Sequence, residues 1–152
     1  MAVRRDFNHF PAIRRDLERR VTGVIKVAMF NIREHALDAM AESKTGRVYP
    51  VPGVAHTVEQ GWYTASAPGE APAILFGQLA NSIDGELLSP TRGRVFSTAE
   101  YAPHLEFGTI DMAPRPFFEP AAAEEEPEYR RALKSLLGSL GGRGSISGPM
   151  SR

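Results

Sequence analysis

The side chains able to do chemistry are few and scattered along the chain. There are four histidines, His9, His35, His56 and His104, and none stands at a metal-ligand spacing from another ligand. His35 and Asp38 lie three residues apart in a segment of helical spacing, which makes them an exposed polar pair on one side. His104 and Glu106 are neighbours in sequence, but a helical turn points them apart. Glu124, Glu125, Glu126 and Glu128 form a charge run of the kind found on a solvated helix face. The glycine-rich GGRGS near the C-terminus has no lysine and follows no strand, so it is not a phosphate-binding loop. H-E-x-x-H and G-x-S-x-G are absent. Trp62 and Tyr63, near Arg47, have the ingredients of a base-stacking platform. Adjacent strand residues face opposite ways, however, and Trp62 is expected in the core or at a subunit interface. Neither a catalytic set, a cofactor nor a metal is expected.

One charged pair stays open. Glu106 and Arg115 flank a glycine and an extended arm. If the arm folds back, they form a carboxylate–guanidinium fork; if it does not, they are two exposed charges.

Composition narrows the classes. A chain of 152 residues with 42% hydrophobic residues suits one domain with one core, extending from about residue 11 to 140. No cysteine is present, which excludes disulfides, thiolate zinc sites and cysteine nucleophiles. No apolar run is long enough to span a bilayer, so no membrane partner is expected. The formal net charge is zero, whereas proteins that wrap nucleic acid carry a large positive excess. The charge is nevertheless uneven. Arg4, Arg5, Arg14, Arg15, Arg19, Arg20, Lys26 and Arg33 make the first third basic, while Glu124 to Glu128 is acidic. These faces either stay solvated or attract each other, within a subunit or between neighbours. A nucleic-acid-binding module using the basic N-terminal helix is the alternative reading.

The elements that must position these groups follow from periodicity. Residues 1–10 read as a flexible arm and 141–152 as a disordered tail. Ile13, Leu17, Val21, Ile25, Ala28, Ile32, Ala36 and Met40 recur every three or four residues, which predicts one long amphipathic helix, bent near Gly23. Strands are expected at Arg47–Val51 and Thr57–Tyr63, with a bulge at Gly61. Ser66–Pro72 reads as a rigid loop with a turn at Pro68-Gly69. Leu75, Leu79 and Ile83 predict a short helix over 74–83 closed by Asp84-Gly85. Glu86–Ser89 and Arg94–Ser97 form a hairpin joined by Pro90-Thr91-Arg92-Gly93. Tyr129, Leu133, Leu136, Leu137 and Leu140 mark a C-terminal helix, kinked or restarted at Pro127, with Glu126–Arg130 and Glu128–Arg131 pairs. The fold class is α+β: a long N-terminal helix and a C-terminal helix packed on a small, mainly antiparallel sheet.

The most constrained stretch is Tyr101 to Ala121. Pro103 suits a helix first turn, Gly108 a C-cap, and Pro114 and Pro116 an extended arm. Phe117 and Phe118 are aromatic anchors, and Pro120 opens a second helix. The stretch serves either as an internal latch or as an intersubunit surface.

These residues also carry a resemblance. Tyr101, Ala102, Glu106, Phe107, Gly108 and Thr109, followed by Arg115, Pro116 and Phe117, resemble the pattern of the HK97 gp10-like phage family, tail-completion or head–tail joining proteins of long-tailed phages. Upstream, the loop around Pro68 and Gly69 and the run Gly77, Leu79, Asn81, Ser82 and Ile83 are similar to further parts of that pattern, as is Lys44-Thr45-Gly46. The resemblance covers roughly Lys44 to Ala121. Leu75 and Phe76 before Gly77, and Pro103, depart from it. It implies a structural, non-enzymatic virion protein at the neck or tail, reaching the virion from the host cytoplasm during assembly. It also implies a homo-oligomeric ring, a hexamer favoured. The ring would be bounded by neck, stopper or adaptor, or tail-tube proteins, with DNA passing nearby unbound.

Overall fold

The computed structural model describes residues 10–54 and 61–141. The predicted arm and tail lie outside these residues, except that Phe10 and Gly141 are each the end of a helix. In chain order the elements are α1 (Phe10–Ala41), β1 (Val48–Pro50), β2 (Trp62–Thr64), α2 (Gln78–Asn81), β3 (Ile83–Ser89), β4 (Arg92–Ser97), α3 (Ala102–Phe107) and α4 (Phe118–Gly141). The α+β class holds. The sheet, however, is divided into two separate antiparallel pairs, β1–β2 and β3–β4.

Helix α1 is 32 residues long and continues through Gly23. Ile25, Ala28, Ala36 and Met40 of its predicted stripe are buried, whereas Ile13 at the N-terminal end is 56% exposed. The Lys44 ammonium donates to the Ala39 carbonyl at 2.5 Å and satisfies one of the last-turn acceptors. Helix α4 packs antiparallel along α1, with Asn31 beside Glu125 and Arg20 and Val24 beside Tyr129 and Ala132. It neither breaks nor restarts at Pro127. Pro127 and Ala123, whose carbonyl loses its helical donor, are both exposed. Of the α4 stripe, Leu133 and Leu136 are half-buried but Leu137 is exposed. The Glu126–Arg130 and Glu128–Arg131 pairs form as expected.

The β3–β4 hairpin lies along α1. The Thr22 hydroxyl donates to the Pro90 carbonyl at 2.6 Å, and Arg33 Nε donates to the Ile83 carbonyl at 3.2 Å. The expected short helix over 74–83 shrinks to Gln78–Asn81. Gly77 is left-handed (φ 73°), which stops a helix from entering earlier. Ile83 and Asp84 pair with Ser97 and Phe96, so tertiary pairing overrides the four-residue spacing that suggested a longer helix. Asp84 and Gly85 are therefore strand, not a helix stop. At the other end Arg92 and Gly93 belong to β4, and the turn is only Pro90-Thr91, with a register shift between Leu87 and Ser89.

The β1–β2 pair is a short arm whose three β1 residues are all exposed. Trp62 is 52% exposed and so is not a core residue. Of the expected second strand, 57–60 lie outside the described residues. Gly61 extends the pairing beyond β2 by accepting from the Val51 amide at 2.7 Å, instead of forming a bulge. At the root of the arm Gly46 donates to the Ala65 carbonyl at 3.0 Å. A Cβ on Gly46 would fall 2.4 Å from that oxygen, so only glycine permits the approach.

The core joins the helices to β3. Ala36 and Met40 (α1), Leu79 (α2), Ile83 (β3), Ala102 (α3), Phe117 just before α4 and Ala121 (α4) form one buried cluster.

Candidate functional site

The site is built on Glu106. Helix α3 is one and a half turns long, with Pro at its first turn and Gly108 at its C-cap (φ 75°, ψ −179°). A Cβ at Gly108 would lie 2.7 Å from the Met112 carbonyl and 2.9 Å from the Pro114 nitrogen. That backbone region is open to glycine alone. The chain turns there, passes without regular structure through Pro114 and Pro116, and returns so that the Arg115 amide donates to the Leu105 carbonyl at 2.7 Å.

This return brings the start of α4 onto the Glu106 carboxylate. One oxygen, Oε2, accepts the amides of Phe117 at 2.9 Å and Phe118 at 3.1 Å. The other, Oε1, accepts the Glu119 amide at 2.8 Å. A helix has four N-terminal amides without an internal partner. Here three are taken by one carboxylate, and the fourth position is Pro120, which has no N–H. The negative charge also lies at the positive end of the helix dipole. Glu106 is buried, as are Phe117 and Ala121 beside it. Phe117 and Phe118 stack at 4.4 Å between centroids.

The open Glu106–Arg115 question is therefore settled against the fork. Glu106 gives its acceptors to the backbone at the start of α4, where the Phe117 amide is buried and those of Phe118 and Glu119 are partly so. Arg115 turns the other way, and its Nε donates to the carbonyl of buried Ser66 at 3.2 Å. The Gly69 amide donates to the Pro114 carbonyl at 2.9 Å. The Pro68-Gly69 loop and the 101–121 stretch are thus one structural unit, although they are separated by 49 residues at the Arg115–Ser66 bond.

A second carboxylate closes this unit onto α1. Glu70 accepts from the Thr45 hydroxyl at 2.5 Å, the Thr45 amide at 3.1 Å and the Ala67 amide at 2.8 Å. The Thr45 hydroxyl, then the Ala67 and Thr45 amides, hold the Glu70 carboxyl below its ordinary value of 4.5. A depressed folded value means stability that is present above the unfolded value and lost as pH falls through the folded one. Wild type is therefore expected to unfold at a higher temperature than Glu70→Gln at pH 7. The two melting curves should converge as pH falls below the ordinary carboxylate value and through the lowered folded one, where the carboxyl protonates. Equal melting temperatures at pH 7 would remove Glu70 as a tie.

The remaining expected residues divide into inward and outward. Pro116 is half-buried beside Phe117. Gly77 accepts the Asn81 amide at 2.8 Å and starts α2. Tyr101 is 42% exposed at the N-cap of α3, and Phe107 is 78% exposed at its end. Thr109 and Met112 form an isolated antiparallel bridge, with Thr109 Oγ1 accepting from the Asp111 amide. That bridge presents Ile110, 99% exposed, at the tip of a two-residue turn. Sequence reasoning passed over Ile110 and Glu70. A β-branched residue between Thr109 and Asp111, just past a glycine stop, is the signal for the first. A carboxylate next to a Pro-Gly turn is the signal for the second.

The basic and acidic faces do not meet as arginine–glutamate pairs. Arg14, Arg20 and Arg33 pair with Glu18, Asp16 and Glu34 of their own helix. The α1–α4 polar contact consists of Asn31 donating to buried Glu125 at 3.0 Å and His35, with its nitrogens 3.6 Å from Glu124 and 3.8 Å from Glu125. His35 therefore faces α4 and is not merely part of an exposed pair with Asp38.

Between the 72–79 loop and α3 lies a cleft of about 290 Å³, lined by Met40, Ser66, Leu79, Tyr101, Leu105 and Arg115. Among the described residues no group of three His, Cys, Asp or Glu gathers as metal ligands would. Also among these residues, no helix is long and apolar enough to cross a membrane.

Comparison with known proteins finds no matching family model, no matching curated protein and no matching solved structure.

Proposed function

We propose that this chain is a structural subunit of a phage neck or tail junction, assembling into a homo-oligomeric ring that joins or completes the tail and lets DNA pass. The observation that supports this reading most is the convergence of the motif residues. Glu106, Gly108, Arg115, Phe117, Gly69 and the Lys44-Thr45-Gly46 turn come together as one hydrogen-bonded clamp. The pattern thus corresponds to a device that holds a rigid tip, which a ring subunit needs more than a moving loop. Large apolar residues remain outside it: Phe30, Phe76, Phe107 and Ile110 are each more than 60% exposed, as expected of surfaces covered in an assembly. A ring requires heterologous head-to-tail contacts between subunits.

The alternative, a nucleic-acid module on α1, draws less support. Three of the six basic residues at Arg14–Arg33 are neutralised by neighbours on the same helix.

Mass spectrometry and cryo-electron microscopy of the particle encoded with this chain provide the test. The expected result is a cyclic ring of this chain at the head-proximal end of the tail. A purified, infectious particle lacking the chain would refute the proposal.

A further inference from the structure

The face of α1 turned away from the core has the wrong composition for water. Ile25, Ala28 and Ala36 point inward and are buried. On the opposite side, where an amphipathic helix is ordinarily polar, stand Gly23, Val27 and Phe30 at i, i+4 and i+7. Val27 is 59% and Phe30 61% exposed, and the space a Gly23 side chain would fill is open. A shallow groove of about 570 Å³ runs beside them; Gly23, Val24 and Val27 on α1 and Tyr129 and Ala132 on α4 form its apolar part, and Arg20, Asn31, Glu125 and Glu128 also line it. Glycine weakens a helix interior by roughly 1 kcal/mol relative to alanine. It introduces no bend that ends α1 here, so its use is the floor it leaves open.

Charge indicates what fits. Arg15, Arg19 and Lys26, exposed and outside every ion pair among the described residues, follow one edge of this face. The complementary object is on the same chain. The Thr109–Met112 turn projects Ile110 with Asp111 next to it, and Phe107 lies at its base. Gly108 and the Glu106 clamp hold that turn in place. An apolar knob with one acidic neighbour matches the apolar part of the groove and the cationic edge on its α1 side, away from Glu125 and Glu128 of α4.

We propose that the 107–112 tip of one copy seats in the α1–α4 groove of the next. Ile110 rests over Gly23 and Val27, and Asp111 faces Arg19 and Lys26. The contact joins two different patches, so it is heterologous and propagates around a ring. It rests on the ring reading and identifies the surfaces that reading requires.

Two variants test it while keeping the monomer folded. Gly23→Leu fills the floor and raises helix propensity, so its melting temperature is expected to hold or rise. Ile110→Asp alters a fully exposed side chain. Light scattering with size separation is expected to show either variant losing self-association, by about tenfold to a hundredfold in dissociation constant. Mixed together, they retain one good tip and one good seat, and should form a 1:1 dimer that grows no further. The chain has no cysteine, so Val27→Cys mixed with Ile110→Cys reports the contact directly. A mixed disulfide is expected, without a Val27→Cys homodimer. Variants that assemble like wild type overturn the seat while leaving the ring. A Val27→Cys homodimer replaces it with a symmetric α1–α1 contact. A monomeric wild type with no mixed disulfide also overturns the seat, and the ring then depends on the particle test alone.

Discussion

Glu106→Ala is expected to lower the thermal unfolding midpoint by about 10 °C. Three backbone amides at the start of α4 lose their acceptor together. Leaving a buried donor unsatisfied costs roughly 1–3 kcal/mol each, although water reaches some of them once the carboxylate is gone. A net loss of about 3–5 kcal/mol follows, including the lost charge at the helix dipole. For a chain of this size each kcal/mol moves the midpoint by about 2–4 °C. Glu106→Gln retains one acceptor oxygen and should lie between the alanine variant and wild type. Glu106→Asp is too short by a methylene to span both rows of amides and should resemble alanine. Differential scanning calorimetry orders the three. A fall below about 2 °C for alanine would mean that the clamp is not structural.

The second large effect is expected at Phe117→Ala. Phe117 is fully buried and sits in the cluster that joins α1, α2, β3, α3 and α4. Truncating a buried phenylalanine costs about 3–5 kcal/mol through lost transfer energy and the remaining cavity. Phe118, stacked on it but only half-buried, is expected to lose less than half as much when replaced by alanine. Urea unfolding of both variants makes the comparison independent of expression level. Equal losses would mean that Phe118 carries as much of the latch as Phe117. Because Glu106 accepts from the Phe117 amide, the two sites share one junction. The double variant Glu106→Ala/Phe117→Ala should cost less than the sum of the singles.

The 101–121 stretch had two candidate purposes, internal latch and intersubunit surface. The structure divides it by residue. Ala102, Glu106, Phe117 and Ala121 are buried; Tyr101, Phe107 and Ile110 are exposed. The latch is therefore the buried base of the stretch, and the exposed residues are the ones that the proposed intersubunit contact would use.

Much of the scaffold was legible because it depends on local backbone chemistry. The span of α1 followed from its apolar period, the start of α3 from Pro103, its stop from Gly108, and the absence of helix between Gly108 and Phe117 from Pro114 and Pro116. Each of these is set by a residue's own torsional limits or by the helical repeat, which neighbours a few positions away do not change. What the sequence left open involved partners far along the chain. Ile83 could continue a helix or begin a strand, and pairing with Ser97 decided it. Arg115 had Glu106 nearby, yet the carbonyl of Ser66 captured it. Glu106 could pair with a charge or cap a helix. Only when the chain folded back did three stranded amides arrive at its carboxylate, and their desolvation made the cap the stronger claim. The sequence alone thus determined that a rigid turn stands between two helices. Tertiary structure decided that one buried glutamate joins them, because the need for an acceptor exists only where water has been excluded.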